Sequence, residues 1–484
     1  MTLSGALNNA LSGLRAAGRG AEIVSSNISN ALTPGYGKRV LNLSSSTLGS
    51  AGGVVITGIT RIVDASLASD RRLAEAEQVN AQGAAGFLER VETLLGTPDD
   101  PASLSARIAD FQNALVTAAS RPDAPERLAT AVAEARSVVD GLRTASDGIQ
   151  DARTLADRTI AQQVDQLNTA LRQVAALNAQ ITATQVQGGD TAALQDQRQG
   201  VVDAIGLLAP VREVPRDNGQ IALYSIGGAV LLDGTPATFG FTPSNLVTAY
   251  MSLDTGTLSG LTINGVTLRT DADKGALRGG AIASQFEIRD SLGVTAQQQI
   301  DAFARDLVTR FQDPAIDPTL LPGDAGLFTD NGGAFDPLDE RGLSARLGLN
   351  TAVDPEQGGA VWRMRDGINA GTPGAPGNAA ILQNLKQALD QRLVPASGGF
   401  GGGAFGTVDL LATIASGNSA ARTIAEQKLS YAGTRLTELT ERQLADGVDT
   451  DEEIRRLLLV EQSYAANAKV IEAVDQMLQQ VLRL

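Results

Sequence analysis

The sequence contains no cysteine and no histidine. Together these absences exclude thiolate nucleophiles, histidine-dependent catalytic triads and zinc sites that use cysteine or histidine ligands. They also exclude disulfide bonds, so cysteine usage does not indicate the redox compartment. A chain without thiols cannot cross-link while it is unfolded, which is compatible with export in an unfolded state.

Aromatic residues and positive charge are also scarce. Aromatic residues make up 4% of the chain, and 39 basic residues face 54 acidic ones, which leaves a net charge of -15. Such a chain is poorly suited to bind phosphate backbones or anionic lipids, so we expect neither nucleic acid nor a membrane as partner. No cofactor and no bound metal are expected. Residues 1–17 lack a continuous apolar run, which predicts no cleavable secretory signal peptide.

Helix-forming residues dominate what is present. At 484 residues the chain is longer than one hydrophobic core usually supports, so we expect two or more domains. The abundance of alanine, glutamine and leucine favours long helices that pack through small side chains. The sequence predicts a mainly α fold with an inserted small β domain, in a nested, elongated multidomain subunit whose terminal helices form a coiled-coil-like domain.

Both ends of the chain carry an apolar stripe with helical spacing. The N-terminal stripe ends near Asn30, because a Thr-Pro-Gly segment follows and proline disfavours a helical predecessor. The C-terminal stripe has one polar interruption, Asn467, which we interpret as a residue that fixes helix register. We predict an assembly interface between copies that is formed by Leu3, Leu7, Leu14, Val24, Ile28, Leu457, Val460, Tyr464, Asn467, Ile471, Val474, Leu478 and Val481.

These terminal helices have little apolar surface of their own. Each large apolar side chain contributes roughly 1.5–3 kcal/mol when fully buried, whereas ordering the backbone costs about 1–2 kcal/mol per residue. Ala10, Ala17 and Ala21 would allow a neighbouring copy to approach closely. We therefore predict that both helices are frayed in the isolated subunit and become ordered on assembly.

The interior changes from helical to β patterning and back. Gly141 and Gly148 are candidate points at which the longest predicted helix breaks or bends. A proline- and glycine-rich stretch over 313–339 is expected to be irregular. Periodicity and turn residues predict helices over 64–95, 102–119, 125–187, 281–311, 378–393 and 410–444. The expected domains are 1–36 with 446–484 for the terminal helices, 37–210 with 275–445 for a helical middle domain, and 211–274 for an inserted β domain.

Segments at both termini resemble a known signature. Residues 25–36 read SSNISNALTPGY, residues 447–453 read GVDTDEE and residues 461–471 read EQSYAANAKVI. They resemble, in the same order, the terminal signatures of flagellar rod, hook and hook-associated proteins. Ser29, Thr450 and the Lys38-Arg39 pair depart from the usual residues.

Interior segments narrow this resemblance. LQDQR at 194–198, GGAVLLDG at 227–234 and the block at 279–290 that ends in FEIRD resemble successive parts of the hook-associated protein 1 family. The resemblance covers nearly the whole chain, although residues 313–375 have no clear counterpart.

The resemblance implies a structural protein, not an enzyme, at the extracellular hook–filament junction of the bacterial flagellum. It implies export by the flagellar type III apparatus without a cleaved signal peptide, docking on the distal hook and templating of filament assembly, and thus a role in motility. It places the terminal helices on the inner tube. The implied partners are further copies in a tubular homo-oligomer, the hook protein, the second junction protein (hook-associated protein 3) and an export chaperone that binds the C-terminal helix.

Two other functions are compatible with parts of the sequence. A hook subunit or another axial protein would share both terminal signatures, but the long helix predicted over 125–187 disfavours a hook subunit. A carboxylate-dependent hydrolase of cell-wall glycan would need a carboxylate pair in a cleft, which the sequence does not locate. The acidic cluster Asp449, Asp451, Glu452 and Glu453 is better explained by a helix N-terminus than by a metal site, and the glycine run 398–403 by a linker than by a phosphate-binding loop.

Overall fold

The computed structural model describes residues 3–33, 35–45, 52–97, 99–271 and 274–482. Its helices are α1 (Leu3–Ser29), α2 (Ala65–Leu95), α3 (Leu104–Ser120), α4 (Pro125–Val186), α5 (Ala192–Leu208), α6 (Gly280–Glu287), α7 (Gly293–Phe311), α8 (Leu343–Arg346), α9 (Arg363–Asp366), α10 (Ala380–Asp390), α11 (Thr407–Ala445) and α12 (Thr450–Leu482). Its strands are β1 (Lys38–Ser45), β2 (Val54–Ile62), β3 (Val211–Pro215), β4 (Ile221–Ser225), β5 (Val230–Asp233), β6 (Thr235–Pro236), β7 (Phe239–Gly240), β8 (Thr262–Ile263), β9 (Val266–Thr267), β10 (Phe328–Asp330) and β11 (Leu347–Leu349).

The predicted fold class is confirmed, and each predicted helix has a counterpart. Helix α4 runs through Gly141 and Gly148 without a break, so the possible interruption expected at these glycines does not occur. A Cβ atom added at Gly141 would lie 2.7 Å from Leu104 Cδ2, and one at Gly148 would lie 2.5 Å from Leu94 Cδ2. The two glycines are therefore places where neighbouring helices approach α4 closely.

The main hydrophobic core lies among α2, α3, α4, α7, α10 and α11. Phe111, Phe311 and Phe328 are at most 1% exposed, and the rings of Phe311 and Phe328 meet edge to face with centroids 5.1 Å apart. Edge-to-face contact is a favoured arrangement of aromatic pairs. This core joins helices from both halves of the sequence. It is therefore complete only when the helices that follow the β region pack against those that precede it.

Helices α2 and α11 show how the chain is nested. Asn418 Nδ2 donates to the Leu88 carbonyl at 3.1 Å, and Arg435 lies 3.0 Å from Glu77. The contacts run in opposite directions along the two helices, so α2 and α11 are antiparallel. Helix α1 precedes α2 in the sequence and α12 follows α11. The end of α1 and the start of α12 therefore lie near the same end of the α2–α11 pair.

The β region is formed by the single segment of chain between α5 and α6. Strands β3 to β6 form one antiparallel sheet in sequence order, and β7 to β9 form another. Asn218 and Asn264 have φ values of 55° and 50°, and each precedes a glycine with positive φ, as tight turns between strands require. Ile160, Val164 and Leu167 of α4 supply part of the core beneath these strands.

Buried arginines attach the β region to the helices. A π-helical turn, Ile288–Leu292, separates α6 from α7 and holds Arg289, which is fully buried. Arg289 Nη1 donates to Asp157 Oδ1 at 2.7 Å, and Arg153 Nη2 donates to the Met251 carbonyl at 2.9 Å. Burial lowers the pKa of Arg153 to about 10, which leaves it charged at neutral pH.

Two features differ from the expectations. Strands β1 (Lys38–Ser45) and β2 (Val54–Ile62) pair as an antiparallel hairpin, so these residues at the start of the expected helical middle domain are not helical. The glycine run 398–403 belongs to a loop closed by pairing between Leu393 and Phe405. Phe400 and Phe405 pack against the main core, so this loop is anchored and is not a solvated linker.

Candidate functional site at the terminal helices

Helices α1 and α12 pack against each other as an antiparallel pair, called here the terminal pair. A Cβ atom added at Gly20 would lie 3.4 Å from Val460 Cγ2, and one at Gly13 would lie 2.6 Å from Asn467 Nδ2. Residue numbers fall on α12 as they rise on α1, which fixes the antiparallel direction. The lack of side chains at both glycines lets the two helices approach closely.

Asn467 lies against Gly13 of α1, and its role in fixing helix register stays a prediction. Its side chain occupies the space that Gly13 leaves open, and its Nδ2 donates to the Ser463 carbonyl at 2.9 Å. Val460 and Val474, one heptad before and after Asn467, lie on the same side of α12. If α12 shifted along α1 by one turn, Asn467 would no longer face a glycine. Either a residue larger than asparagine would then face Gly13, or Asn467 would face a residue larger than glycine.

The predicted interface residues divide into two groups. Val24 and Val474 are buried, and Val460 and Asn467 face α1, so these four lie inside the terminal pair of one chain. The others retain access to solvent: Tyr464, Leu478 and Val481 are 50%, 41% and 66% exposed, and Leu3, Leu7, Leu14, Ile28, Leu457 and Ile471 are half-buried.

The terminal pair has two distinct sides. The hairpin covers one side of α1, where the Val54 amide donates to Ser12 Oγ at 3.1 Å. Ser12 and Leu14 stand on either side of Gly13, so Leu14 projects away from the hairpin. Residues seven apart share one side of a helix. The side opposite the hairpin, called here the leucine face, carries Leu7, Leu14, Ala21, Ile28, Leu457 and Tyr464.

A groove lies on the hairpin side of the terminal pair. It encloses about 400 Å³ between α1, α12 and the hairpin. Leu459 of α12 lines it, and the backbones of Gly13 and Gly20 form part of its floor. Arg39 and Arg456 are the charged residues of this mainly apolar groove. Its remaining lining residues are Ala16, Ala17, Ile23, Val24, Leu41, Leu43, Val54, Val460, Ser463 and Asn467.

A buried polar cluster, called here the clasp, joins the ends of the terminal pair. Asn27 Nδ2 donates to Glu453 Oε2 at 3.0 Å and to the Arg39 carbonyl at 2.9 Å. Asn27 Oδ1 accepts from Tyr36 Oη at 2.8 Å and from the Arg39 amide at 3.0 Å. Lys38 Nζ lies 3.7 Å from Glu453 Oε1. Asn27 and Glu453 are fully buried, so both signature segments meet at one water-excluded contact.

The acidic cluster at the start of α12 has two separate roles. Asp449 accepts from the amides of Glu452 and Asp451 at 3.1 Å and 2.9 Å, and these hydrogen bonds lower the pKa of Asp449. This supports the helix N-terminus explanation. Glu453 differs, because its side chain is a buried member of the clasp. Within the described ranges, no group of three or more acidic residues could hold a metal ion.

Asp196 connects the terminal pair to the middle of the molecule. Its carboxylate accepts from Arg61 Nε at 2.6 Å, from Arg39 Nη2 at 2.8 Å and from the Gly37 amide at 3.0 Å. Asp196 lies on α5, so it links that helix to both strands of the hairpin. The sequence placed Asp196 in a family-like segment but gave no sign of these partners, because they lie more than 130 residues away in the sequence.

No described helix is long and apolar enough to cross a membrane. The candidate site consists of the leucine face, the groove and the clasp of the terminal pair, together with Asp196 of α5, which holds the hairpin. These features suit packing between protein chains more than chemistry on a small molecule.

Comparisons with known proteins agree on one family. A family model described as the flagellar hook-associated protein FlgK helical domain matches residues 88–316, and one described as the flagellar basal body rod FlgEFG protein C-terminal matches residues 445–484. Flagellar hook-associated protein 1 of Escherichia coli (strain K12) is 25% identical, with 98% of each chain aligned. Its counterpart from Bacillus subtilis (strain 168) is 21% identical over 94% of this chain and 93% of that one.

A solved structure of the flagellar hook junction protein FlgK from Burkholderia pseudomallei superposes with a TM-score of 0.44 and 19% identity. The superposition covers 55% of this chain and 47% of that chain, and it is too limited to support an argument about function. The sequence matches extend from the first helix to the last. Over nearly its whole length the chain is similar to flagellar hook-associated protein 1, and it is a structural component of the bacterial flagellum, not an enzyme.

Proposed function

We propose that this protein forms the junction between the flagellar hook and filament, where it docks on the distal hook and templates assembly of the filament. The observation that carries the proposal is the terminal pair, which brings both signature segments together and leaves apolar residues of both helices accessible. A subunit that builds a tube needs such residues, because each copy must contact neighbours on more than one side.

The proposed partners follow from this role. Copies of the chain would form a tube with their terminal pairs on the inside. This tube would contact the hook protein at one end and hook-associated protein 3 at the other. Before assembly, an export chaperone would cover α12, where Leu458, Met477 and Leu482 are among the exposed apolar residues. Such exposure favours binding of a partner. The proposal includes export by the flagellar type III route without a cleaved signal peptide.

The predicted interface residues keep a role in this proposal. Leu3, Leu7, Leu14, Ile28, Leu457, Tyr464, Ile471, Leu478 and Val481 would contact neighbouring copies. Val24, Val460, Asn467 and Val474 would act indirectly, because they hold α1 and α12 together and so form the surface that a neighbour meets.

Electron microscopy of cells with an in-frame deletion of the gene tests the junction role, with the medium probed for filament protein. Hooks without filaments, together with filament protein lost to the medium, would support the proposal. Missing hooks would assign the chain to the hook or rod instead, and normal filaments would refute a junction role.

A paired substitution then tests the assembly surface in complemented deletion cells. Ile471→Asp with Leu478→Asp should leave the middle of the molecule folded but prevent incorporation into flagella, because charge on both residues opposes their burial. The matched control is Val116→Asp with Leu155→Asp, whose parent residues are 52% and 57% exposed outside the terminal pair. Equal incorporation of both double variants would contradict the proposed surface.

A further inference from the structure

We propose that the leucine face of one copy docks in the groove of the next copy, so that successive terminal pairs join face to groove. This inference rests on the proposed junction role and adds which surfaces meet. Both surfaces belong to the terminal pair, and each has an exposed large side chain: Leu459 in the groove is 63% exposed and Tyr464 on the leucine face is 50% exposed. They differ in shape, since the groove is walled by the hairpin whereas the leucine face has no such wall.

The two surfaces lie on opposite sides of the pair. On α12, Leu459 lines the groove and Val460 faces Gly20 of α1. Glu461 is the next residue, so it projects to the side away from the groove. The same alternation on α1 places Ser12 beside the hairpin and Leu14 on the leucine face. A neighbour held by the leucine face therefore leaves the groove of the same chain open.

Charge complementarity identifies a second copy as the occupant of the groove. Arg456 supplies positive charge there with a side chain that is 41% exposed, and Arg39 adds to it, because Arg39 and Arg61 share the single carboxylate of Asp196. The leucine side of α12 carries Glu461, Glu472 and Asp475, whose spacings of eleven and three residues keep them on one side of the helix. Docking would bring these carboxylates towards the arginines and bury the leucines against the apolar groove wall.

Face-to-groove docking has a different consequence from face-to-face docking. Two leucine faces that met each other would form a closed dimer, because the leucine face of each copy would then be occupied. When different surfaces meet, every added copy offers a fresh groove or a fresh leucine face. The contact then repeats around a ring or along a helical tube, as a subunit of the flagellar axis requires.

Engineered cysteines can test this contact without background, because the natural chain has none. Ser463→Cys places a thiol in the groove. A second thiol is placed on the leucine face by combining this substitution, in separate variants, with Leu7→Cys, Leu14→Cys or Ala21→Cys. The three positions cover different axial offsets between neighbours. Flagella isolated from complemented deletion cells are treated with a short bismaleimide cross-linker, and the products are separated by size and immunoblotted. Ser463→Cys with Val116→Cys is the matched control.

The expected result is a ladder of dimers, trimers and larger products for at least one groove-and-face combination. The control and all single-cysteine variants should lack this ladder. Dimers from a single leucine-face cysteine would overturn the inference in favour of face-to-face contact. Flagella that contain the variants but yield no ladder at any of the three positions would also overturn it. The junction role is tested separately, by whether deletion of the gene leaves hooks without filaments.

A charge reversal provides a second measurement that does not depend on cysteine placement. Glu461→Arg should reduce incorporation into flagella severalfold, because it sets a positive charge against Arg39 and Arg456 of the neighbour. Glu441→Arg is the control, since Glu441 is an exposed residue of α11 outside the terminal pair. Equal incorporation of the two variants would count against face-to-groove docking.

Discussion

The main core and the terminal pair bury different kinds of residue. In the core, Phe111, Phe311 and Phe328 are almost completely buried among helices from both halves of the chain. In the terminal pair, the buried positions of α1 are mainly glycine and alanine, and those of α12 are Glu453 and Val474. Large side chains therefore stabilise the middle within one chain, whereas the terminal pair depends on close backbone approach, on the clasp and on surfaces left for neighbours.

Amide hydrogen exchange on the isolated subunit should show the largest difference between the two regions. We expect opening free energies near the global value, roughly 5–15 kcal/mol, for the interior of α4 and α7. Amides of α1 and α12 should exchange with little protection, because their helices bury few large side chains. Mass spectrometry of pepsin fragments measures both regions in one experiment. Strong protection of both terminal helices in the monomer would contradict the comparison.

Phe311→Ala should produce the next largest effect. Removing a fully buried aromatic ring leaves a cavity in the main core, and we expect a loss of about 3–5 kcal/mol in the free energy of unfolding. Val481→Ala, at a residue that is 66% exposed on α12, should change it by less than about 0.5 kcal/mol. Chemical denaturation followed by circular dichroism compares the two variants. A similar cost for both would mean that the terminal pair is as tightly packed as the core.

Periodicity predicted the helices well but failed for the hairpin. The stretch from 125 to 187 has helical spacing throughout, and α4 follows it almost from end to end. The glycines within it were candidate points for a break or a bend, yet their positions depend on Leu94 and Leu104, which belong to other helices. The hairpin was not predicted although Val54, Val55 and Ile56 favour a strand, because neither of its strands alternates strictly between apolar and polar residues.

The candidate site was only partly accessible from the sequence. The apolar stripes located α1 and α12, but not the rotation that directs Val460 towards α1 and leaves Tyr464 exposed. That rotation depends on Gly13 and Gly20, which a search for large apolar residues does not find. The clasp was missed for a similar reason, since Asn27 and Glu453 are polar residues that become partners only when the two ends of the chain meet.

Glu453→Ala tests how much the clasp supports the terminal pair. It leaves Asn27 Nδ2 without its carboxylate partner in a buried position, which should cost about 1–3 kcal/mol locally. Glu452→Ala is the matched control, because Glu452 is 54% exposed and its pair with Lys38, at 3.0 Å, should contribute only about 0–1 kcal/mol. Limited proteolysis at the termini measures the effect. Equal cleavage of the two variants would show that the clasp is not needed.

The pH dependence of stability should differ in sign between the two regions. Burial raises the pKa of Asp301 above its ordinary value near 3.8, although Ser344 and Gly342 donate hydrogen bonds to it. Stability from this group is complete below pH 3.8 and is lost as the pH rises through the pKa of the folded state. As the pH rises through that range, the melting temperature of the middle of the molecule should therefore fall less in the Asp301→Asn variant than in the natural chain. An unchanged slope would contradict this assignment.

Asp449 should show the opposite sign and the smallest effect. Hydrogen bonds from the amides of Glu452 and Asp451 lower the pKa of Asp449, so its contribution is present above the ordinary value of 3.8 and is lost as the pH falls through the folded pKa. Asp449→Ala should speed exchange of those two amides at neutral pH, whereas Asp449→Asn retains an acceptor oxygen and should speed it less. Because Asp449 is exposed, the change should stay within the first turn of α12 and leave the main core unaffected. If Asp449→Ala also lowered the unfolding free energy of the core, the terminal pair and the middle would be coupled more strongly than their separate packing indicates.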